Sequence, residues 1–235
     1  IPTLIQEQNS YPGITTRWFA DKATKVCIAF EDARKYLKKK CALTGNPVRK
    51  EINGGNRIDG IQKFGFDPSK KTLFVFGGSQ GSLALNKLMN KMISSLSVSS
   101  IQVIWQTGKN YYKNYKNYGN KTLKVLPFIE DMASAYAVSD LVMSRSGAIS
   151  CSELTVCGKP SILIPFPYAA ADHQTKNAKT LVNHDAALMF NEKNLHHEKV
   201  AMTIQSLLND ENRLDQMSKA SFKLGKPNAT DTIVD

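Results

Sequence analysis

The sequence predicts an α/β fold built on a doubly wound parallel sheet, and two observations carry that reading. Short apolar runs alternate with longer amphipathic stretches, so the hydrophobic period switches repeatedly between buried strand and helix. Two of the runs, 73–76 and 140–143, lead into small-residue loops, Gly77-Gly78-Ser79-Gln80-Gly81 and Ser146-Gly147-Ala148-Ile149-Ser150, and a helical pattern follows each.

In order, strands are expected at 72–76, 101–105, 123–126, 141–143, 161–165 and 187–190, with helices at 82–95, 109–118, 132–139, 148–157 and 174–183. Two further helices are expected at 198–208 and 212–224, the second capped from Asp210-Glu211-Asn212. Residues 1–46 show the same alternation, with strands at 3–6 and 26–30, helices at 14–23 and 33–39, and a short strand up to Gly45. The stretch 47–71 is polar, rich in Gly, Asn and Pro, and lacks a period, so it reads as the connection between two α/β units. The division expected is therefore 1–46, 47–71 and 72–235.

The 235 residues are 42% hydrophobic and 22% charged, enough for one large domain, or one domain plus part of another. No apolar run approaches the ~18 residues of a membrane span. The opening Ile1-Pro2-Thr3-Leu4 has no Met and no basic segment before an apolar one, so it reads as an excerpt from inside a folded unit, without a signal peptide. Cys27, Cys41, Cys151 and Cys157 form no C-x-x-C pair and are expected to be reduced core thiols in a cytosolic protein. His196-His197 reads as surface. No Asp-x-Asp occurs to hold a cation on a diphosphate, so the chemistry is expected to be metal-free and without cofactor.

The net charge is +11, and residues 68–129 hold nine lysines and no acid. Such a field attracts an anionic substrate or an anionic membrane face, although most of these lysines read as solvated helix faces. Lys38-Lys39-Lys40 has no nucleic-acid motif around it, and no nucleic-acid partner is expected.

The two small-residue loops carry the chemistry. A helix start exposes backbone N–H groups that suit a phosphate, and Glu153, one to two turns into the second helix, suits the paired hydroxyls of a ribose. Together they point to a nucleoside diphosphate with a sugar attached. The first loop is neither G-x-G-x-x-G nor a P-loop, and a plain tight turn explains it almost as well. A carboxylate early in a helix is favourable for the dipole by itself, yet that leaves the Ser146-Gly147 pair unexplained. Asp172-His173-Gln174-Thr175-Lys176-Asn177 follows a strand, on the edge where open α/β sheets bind ligands. His173, Gln174 and Asn177 offer groups for sugar hydroxyls; the plainer reading is an Asp cap with polar surface behind it. Phe128 and Ile129, at a strand end, are placed to sandwich a base or simply to pack.

Taken together, Gln6-Glu7-Gln8-Asn9, Gly45-Asn46-Pro47-Val48-Arg49, Gly77-Gly78-Ser79-Gln80-Gly81, Gln106-Thr107-Gly108, Phe128-Ile129, Arg145-Ser146-Gly147-Ala148, Ser152-Glu153 and Asp172-His173-Gln174 resemble, in order and along nearly the whole chain, the MurG family of bacterial N-acetylglucosaminyltransferases. The resemblance implies a GT-B fold whose C-terminal domain holds UDP-N-acetylglucosamine, preceded here by the end of the N-terminal α/β domain. It implies metal-independent, inverting transfer to lipid I to form lipid II, by an enzyme peripheral to the cytoplasmic side of the inner membrane.

By that resemblance Ser79 and Gln80 lie at the diphosphate and the Ile129 backbone reads uracil. Ala148, Ile149 and Ser150 form the loop around phosphate and nucleoside, and Glu153 takes the ribose. Gln174, with His173 or Asn177, takes the sugar, while Asn9 and Arg49 reach the donor from across the cleft. The family usually has His at the position of Gln6, and its proposed base and membrane patch belong to a segment expected upstream of Ile1. Two other readings are a non-catalytic UDP-sugar-binding subunit that needs a partner chain, and another GT-B enzyme, such as a nucleotide-sugar epimerase or glycolipid transferase.

Overall fold

The computed structural model describes residues 1–96 and 101–235. Two parallel sheets organise the chain. The smaller has three strands in the order β1-β2-β3, with β1 at Leu4–Glu7, β2 at Lys25–Ile28 and β3 at Ala42–Leu43. The larger has six: β4 (Lys71–Phe76), β5 (Ile101–Gln106), β6 (Leu123–Leu126), β7 (Leu141–Ser144), β8 (Ser161–Leu163) and β9 (Ala187–Met189), in the spatial order β6-β5-β4-β7-β8-β9. Every pairing is parallel. Leu73, Phe74, Val75 and Phe76 are all buried, as a strand covered on both faces requires.

The order of the large sheet reverses at β4, which has β5 on one side and β7 on the other. A crevice opens at such a reversal, at the carboxyl ends of the strands, and open α/β sheets bind ligands there. The segments leaving β4 and β7 are the two small-residue loops.

Helices cover both faces. α1 (Ile14–Phe19) belongs to the small sheet, and α2 (Arg57–Phe64) lies between the sheets in sequence. Then come α3 (Leu83–Met92), α4 (Tyr112–Tyr115), α5 (Met132–Val138), α6 (Ala148–Val156), α7 (His173–Asn183), α8 (His197–Leu208), α9 (Glu211–Leu224) and α10 (Ala229–Val234). One core gathers Leu85, Met89 and Met92 of α3 with Val103 and Trp105 of β5 and Ile204 of α8. The other gathers Phe74, Tyr136, Leu154 and Leu181 on the opposite face. Each such apolar side chain contributes about 1.5–3 kcal/mol when fully buried.

Three expectations are corrected. Residues 57–64 form a helix where only a connection is expected: Asn56 Oδ1 accepts from the N–H of Ile58 at 2.7 Å, and Gly65 ends the helix at φ 61°. At Gly60 a Cβ would lie 2.5 Å from a methyl of Val138, so this glycine lets α2 close on α5. Residues 31–36 form 3₁₀ turns rather than an α-helix, because Glu31–Arg34 and Asp32–Lys35 pair at the three-residue period. The helix expected at 109–118 shrinks to α4 and a 3₁₀ turn. α10, not expected from the sequence, follows a chain return to the small sheet, where Lys226 and Ala229 crowd Gly45.

Candidate functional site

A cavity of about 660 Å³ lies where the reversal predicts. Gly77, Gly78, Gly81 and Ser82 form one wall, Gly147 and Ser150 another, and Gln174 and Phe166 a third. Both helix starts open onto it. α6 begins after Gly147, which offers no side-chain cap, so its first N–H groups have no partner within the helix. α3 begins after Ser82, whose hydroxyl caps the Leu85 N–H and leaves those of Leu83 and Ala84 to the cavity wall. Two helix N-termini converging on one space favour an anion with two phosphates.

The turn around Gly81 is tied down by close backbone contact. Gly81 has φ 77°, and a Cβ there would lie 2.1 Å from the Thr107 carbonyl oxygen; Gly108, at φ 87°, meets Gln80 in the same way. Only glycine at both positions lets the two turns touch. Asn86 holds the arrangement from behind, donating to the Thr107 carbonyl at 2.9 Å and accepting from the Trp105 indole at 2.9 Å. Ser79 and Gln80 stand exposed at the tip of the turn and are outside the cavity lining.

Glu153 is buried on α6, away from the cavity lining. The Tyr136 hydroxyl donates to its Oε2 at 3.0 Å. Burial raises the Glu153 carboxyl above its ordinary range, against the Tyr136 hydrogen bond and the positive charge of Arg49. Arg49 is exposed, and its Nη1 donates to the Glu130 carbonyl at 3.4 Å. Ile129 is buried next to it, and its N–H donates to Gln106 Oε1 at 2.8 Å, so the backbone edge expected for a base has its donor already engaged. Gln106 Nε2 donates to the Gly78 carbonyl at 3.1 Å, which links the Ile129 backbone to the first loop. Phe128, 41% exposed, is the aromatic left open here. Ala148 is half-buried and Ile149 exposed at the start of α6.

Asn177 differs most from its expected place. It is fully buried: Oδ1 accepts from the Ser10 N–H at 2.8 Å, and Nδ2 donates to Asn9 Oδ1 at 3.1 Å and to the Ser146 carbonyl at 3.2 Å. Both Asn9 and Asn177 therefore join the two sheets' loops to one another. Gln174 does line the cavity, steadied by an N–H bond from Phe166 at 3.0 Å to its Oε1. His173 faces the Ala170 carbonyl through Nδ1 at 2.7 Å, outside the cavity lining. The two residues before it, Ala171 and Asp172, are left-handed at φ 49° and 54°, and the Asp172 carboxylate accepts from the Thr175 hydroxyl rather than from a backbone N–H.

Arg145, for which the sequence suggests no individual role, organises the cavity floor. Its guanidinium donates to the carbonyls of Ile164 and Pro165, each at 3.0 Å, and to Ser82 Oγ at 2.9 Å. It also approaches Glu192 Oε2 at 2.5 Å, an ion pair off the direction of a hydrogen bond, and lies 5.4 Å from the centre of the Phe166 ring. Burial lowers its pKa and Glu192 works against that. Tyr136 and Glu192 have no local signal in the sequence, because each lies far along the chain from the residue it serves.

All four cysteines are free thiols, three of them buried. Among the described residues no three His, Cys, Asp or Glu side chains gather as metal ligands, and no helix is long and apolar enough to cross a membrane.

Two parallel α/β units joined through their loops, with the crevice at the reversal of the larger sheet, define the GT-B class of glycosyltransferases. Residues 72–233 match the C-terminal domain of glycosyltransferase family 28, and the chain belongs to that family. Over its full length it superposes on the crystal structure of MurG from Acinetobacter baumannii with a TM-score of 0.84 at 29% identity, covering 66% of that chain. It shares the fold alone with Os79 of O. sativa in complex with UDP, at TM-score 0.69 and 14% identity over 92% of this chain and 56% of the other. The UDP-N-acetylglucosamine–N-acetylmuramyl-(pentapeptide) pyrophosphoryl-undecaprenol N-acetylglucosamine transferase of Flavobacterium psychrophilum is 45% identical over 100% of this chain and 65% of its own length. The enzyme of the same name from Myxococcus xanthus is 42% identical, over 100% and 62%. The chain thus spans less than two thirds of these relatives, and the resemblance to the MurG family is borne out.

Proposed function

We propose that this chain is the donor-binding part of an inverting, metal-independent transferase that moves N-acetylglucosamine from UDP-N-acetylglucosamine to lipid I, giving lipid II of peptidoglycan. The observation that carries this is the convergence of the α3 and α6 N-termini on one cavity at the sheet reversal. The diphosphate lies between those helix starts, with the exposed Ser79 and Gln80 folding over it and Ser150 beneath. The ribose meets Glu153, whose Oε1 accepts from no described residue. The base packs at Ile129 and Phe128, with Arg49 closing from the side of the small sheet. Gln174 takes the sugar hydroxyls. Asn9 and Asn177 hold the cleft's two walls in register rather than touching the sugar.

In the transfer, the acceptor hydroxyl oxygen bonds to the sugar's anomeric carbon as the bond to the diphosphate breaks. UDP leaves with the electron pair, and a base takes the hydroxyl proton. Helix N-termini stabilise the charge that develops on the leaving phosphate. None of His173, His184, His196 and His197 lines the cavity, so we assign the base to the part of the relatives outside this chain. In this reading residues 1–46 close the acceptor-side domain, 47–71 join it to the donor domain 72–235, and the whole enzyme works at the cytoplasmic face of the inner membrane.

A radiolabelled-donor assay with lipid I in detergent tests this. The 235-residue chain should give no product, and the same chain joined to the upstream part of a relative should give it. Product from the short chain, above a Glu153→Ala control, would place the base within it.

A further inference from the structure

We propose that one face of the large sheet, formed by α3 and the α4 region, docks on an anionic lipid surface, so that this chain contacts the bilayer through its own donor-binding half. α3 and α4 pack on the same side of the sheet, since Leu85, Met89 and Met92 of α3 share one core with Tyr115 of α4. Their outward residues include Lys87, Lys91, Lys113 and Lys116, all exposed. Among the described residues none of these four forms an ion pair. Of the acids on the helices that follow, Glu211 of α9 pairs with Lys71 at 2.9 Å, and Glu198 of α8 lies 3.1 Å from the His197 imidazole. α3 and the α4 region themselves carry lysines and no acid, since residues 68–129 hold none.

The aromatic pattern says what kind of anion it meets. Residues 109–121 hold four lysines interleaved with four tyrosines. Tyr115 turns inward and lies against Trp105, at 4.9 Å between ring centres, and fixes the segment. Tyr118 is 43% exposed. Tyrosine at the boundary of a lysine field suits a headgroup layer, where the ring meets apolar carbon and the hydroxyl meets water. The patch also reaches the donor site. Tyr111 and Lys87 line the cavity, and the Lys109 ammonium lies 5.9 Å from the centre of the exposed Phe128 ring. A bilayer against this face would hold the cavity mouth beside the surface that carries a lipid-linked acceptor. Only that last step rests on the transfer reading; the surface itself stands on charge and exposure.

Flotation of the 235-residue chain with vesicles tests the proposal. Binding is expected to mixed phosphatidylglycerol–phosphatidylcholine vesicles and not to pure phosphatidylcholine. The variant Lys91→Glu/Lys113→Glu/Lys116→Glu should bind at least about a hundredfold more weakly, at about 1 kcal/mol for each lysine near an anionic surface. A control with equal charge change, Lys219→Glu/Lys223→Glu/Lys226→Glu, should keep most of the binding. Thermal melting of the same samples reports the fold, and UDP titration reports the donor reading separately. Equal loss in both variants, no binding to the anionic vesicles, or tighter retention on a single-stranded oligonucleotide than on the vesicles would each overturn the proposal.

Discussion

The Tyr136 hydroxyl donates to Glu153 Oε2 at 3.0 Å inside the protein, and the second carboxylate oxygen is left without a partner among the described residues. A neighbouring helix, α5, thus orients the acid that, in the proposed reading, meets the ribose. The bond has a consequence for pH. Burial raises the Glu153 carboxyl, and Tyr136 pulls it back down. UDP affinity should therefore fall on acidification, beginning above the ordinary carboxylate range. The unliganded fold responds with the opposite sign: a raised acid costs stability while ionised, and that cost disappears as pH falls through the raised value. Tyr136→Phe should weaken UDP binding by about 0.5–1.5 kcal/mol and move the acid limb upward, and Glu153→Gln should flatten it. Titration calorimetry across pH checks both; an unshifted limb in Tyr136→Phe would separate this pair from the site.

Gly81→Ala should damage binding and fold together. Its Cβ would meet the Thr107 carbonyl oxygen at 2.1 Å, at a φ of 77° that alanine rarely adopts. We expect a lower melting temperature and loss of UDP binding, while Gly78→Ala, with open space around its Cβ at φ 89°, should incur only the backbone strain of about 1–2 kcal/mol. Equal melting temperatures for the two would show that the turn yields.

Asn177→Ala should loosen the joint between the sheets. It strands the Ser10 N–H in a buried place and removes the contacts to Asn9 and Ser146. An unsatisfied buried group costs about 1–3 kcal/mol. Hydrogen exchange should rise at Asn9 and Ser10 first, with the core of the large sheet unchanged; uniform protection throughout would contradict the assignment.

Much of the fold is legible in the chain. The apolar runs mark the six strands of the large sheet, because parallel strands buried on both faces are mostly apolar, with only a few hydrogen-bonded polar residues such as Gln102 and Gln106 among them. The loops after β4 and β7 are legible because glycine and serine cluster there for conformational reasons. α2 is hard to read because an eight-residue helix with glycine in its middle shows little period; its signals are Asn56 and Gly65 at its ends. The place of Glu153 after a small-residue loop suggests a ligand acid, but nothing local reveals its tie to Tyr136, which lies 17 residues away. Asn177 reads as a sugar contact because its spacing from Gln174 shows a shared helix face, whereas its partner Asn9 sits on the other unit, 168 residues away.

UDP binding should persist in excess EDTA. In the proposed reading the diphosphate charge is met by the two helix starts, with Lys87 on the cavity wall, and the sequence has no Asp-x-Asp for a bridging cation. Loss of binding on chelation, restored by Mg²⁺, would refute the metal-independent reading.

Calorimetric titration of UDP into the 235-residue chain and its Glu153→Ala variant tests the donor site most directly. A hydrogen bond to a charged group contributes about 1.5–3 kcal/mol, so the variant should bind roughly tenfold to a hundredfold more weakly while remaining folded. Equal affinity in a folded variant would contradict the account.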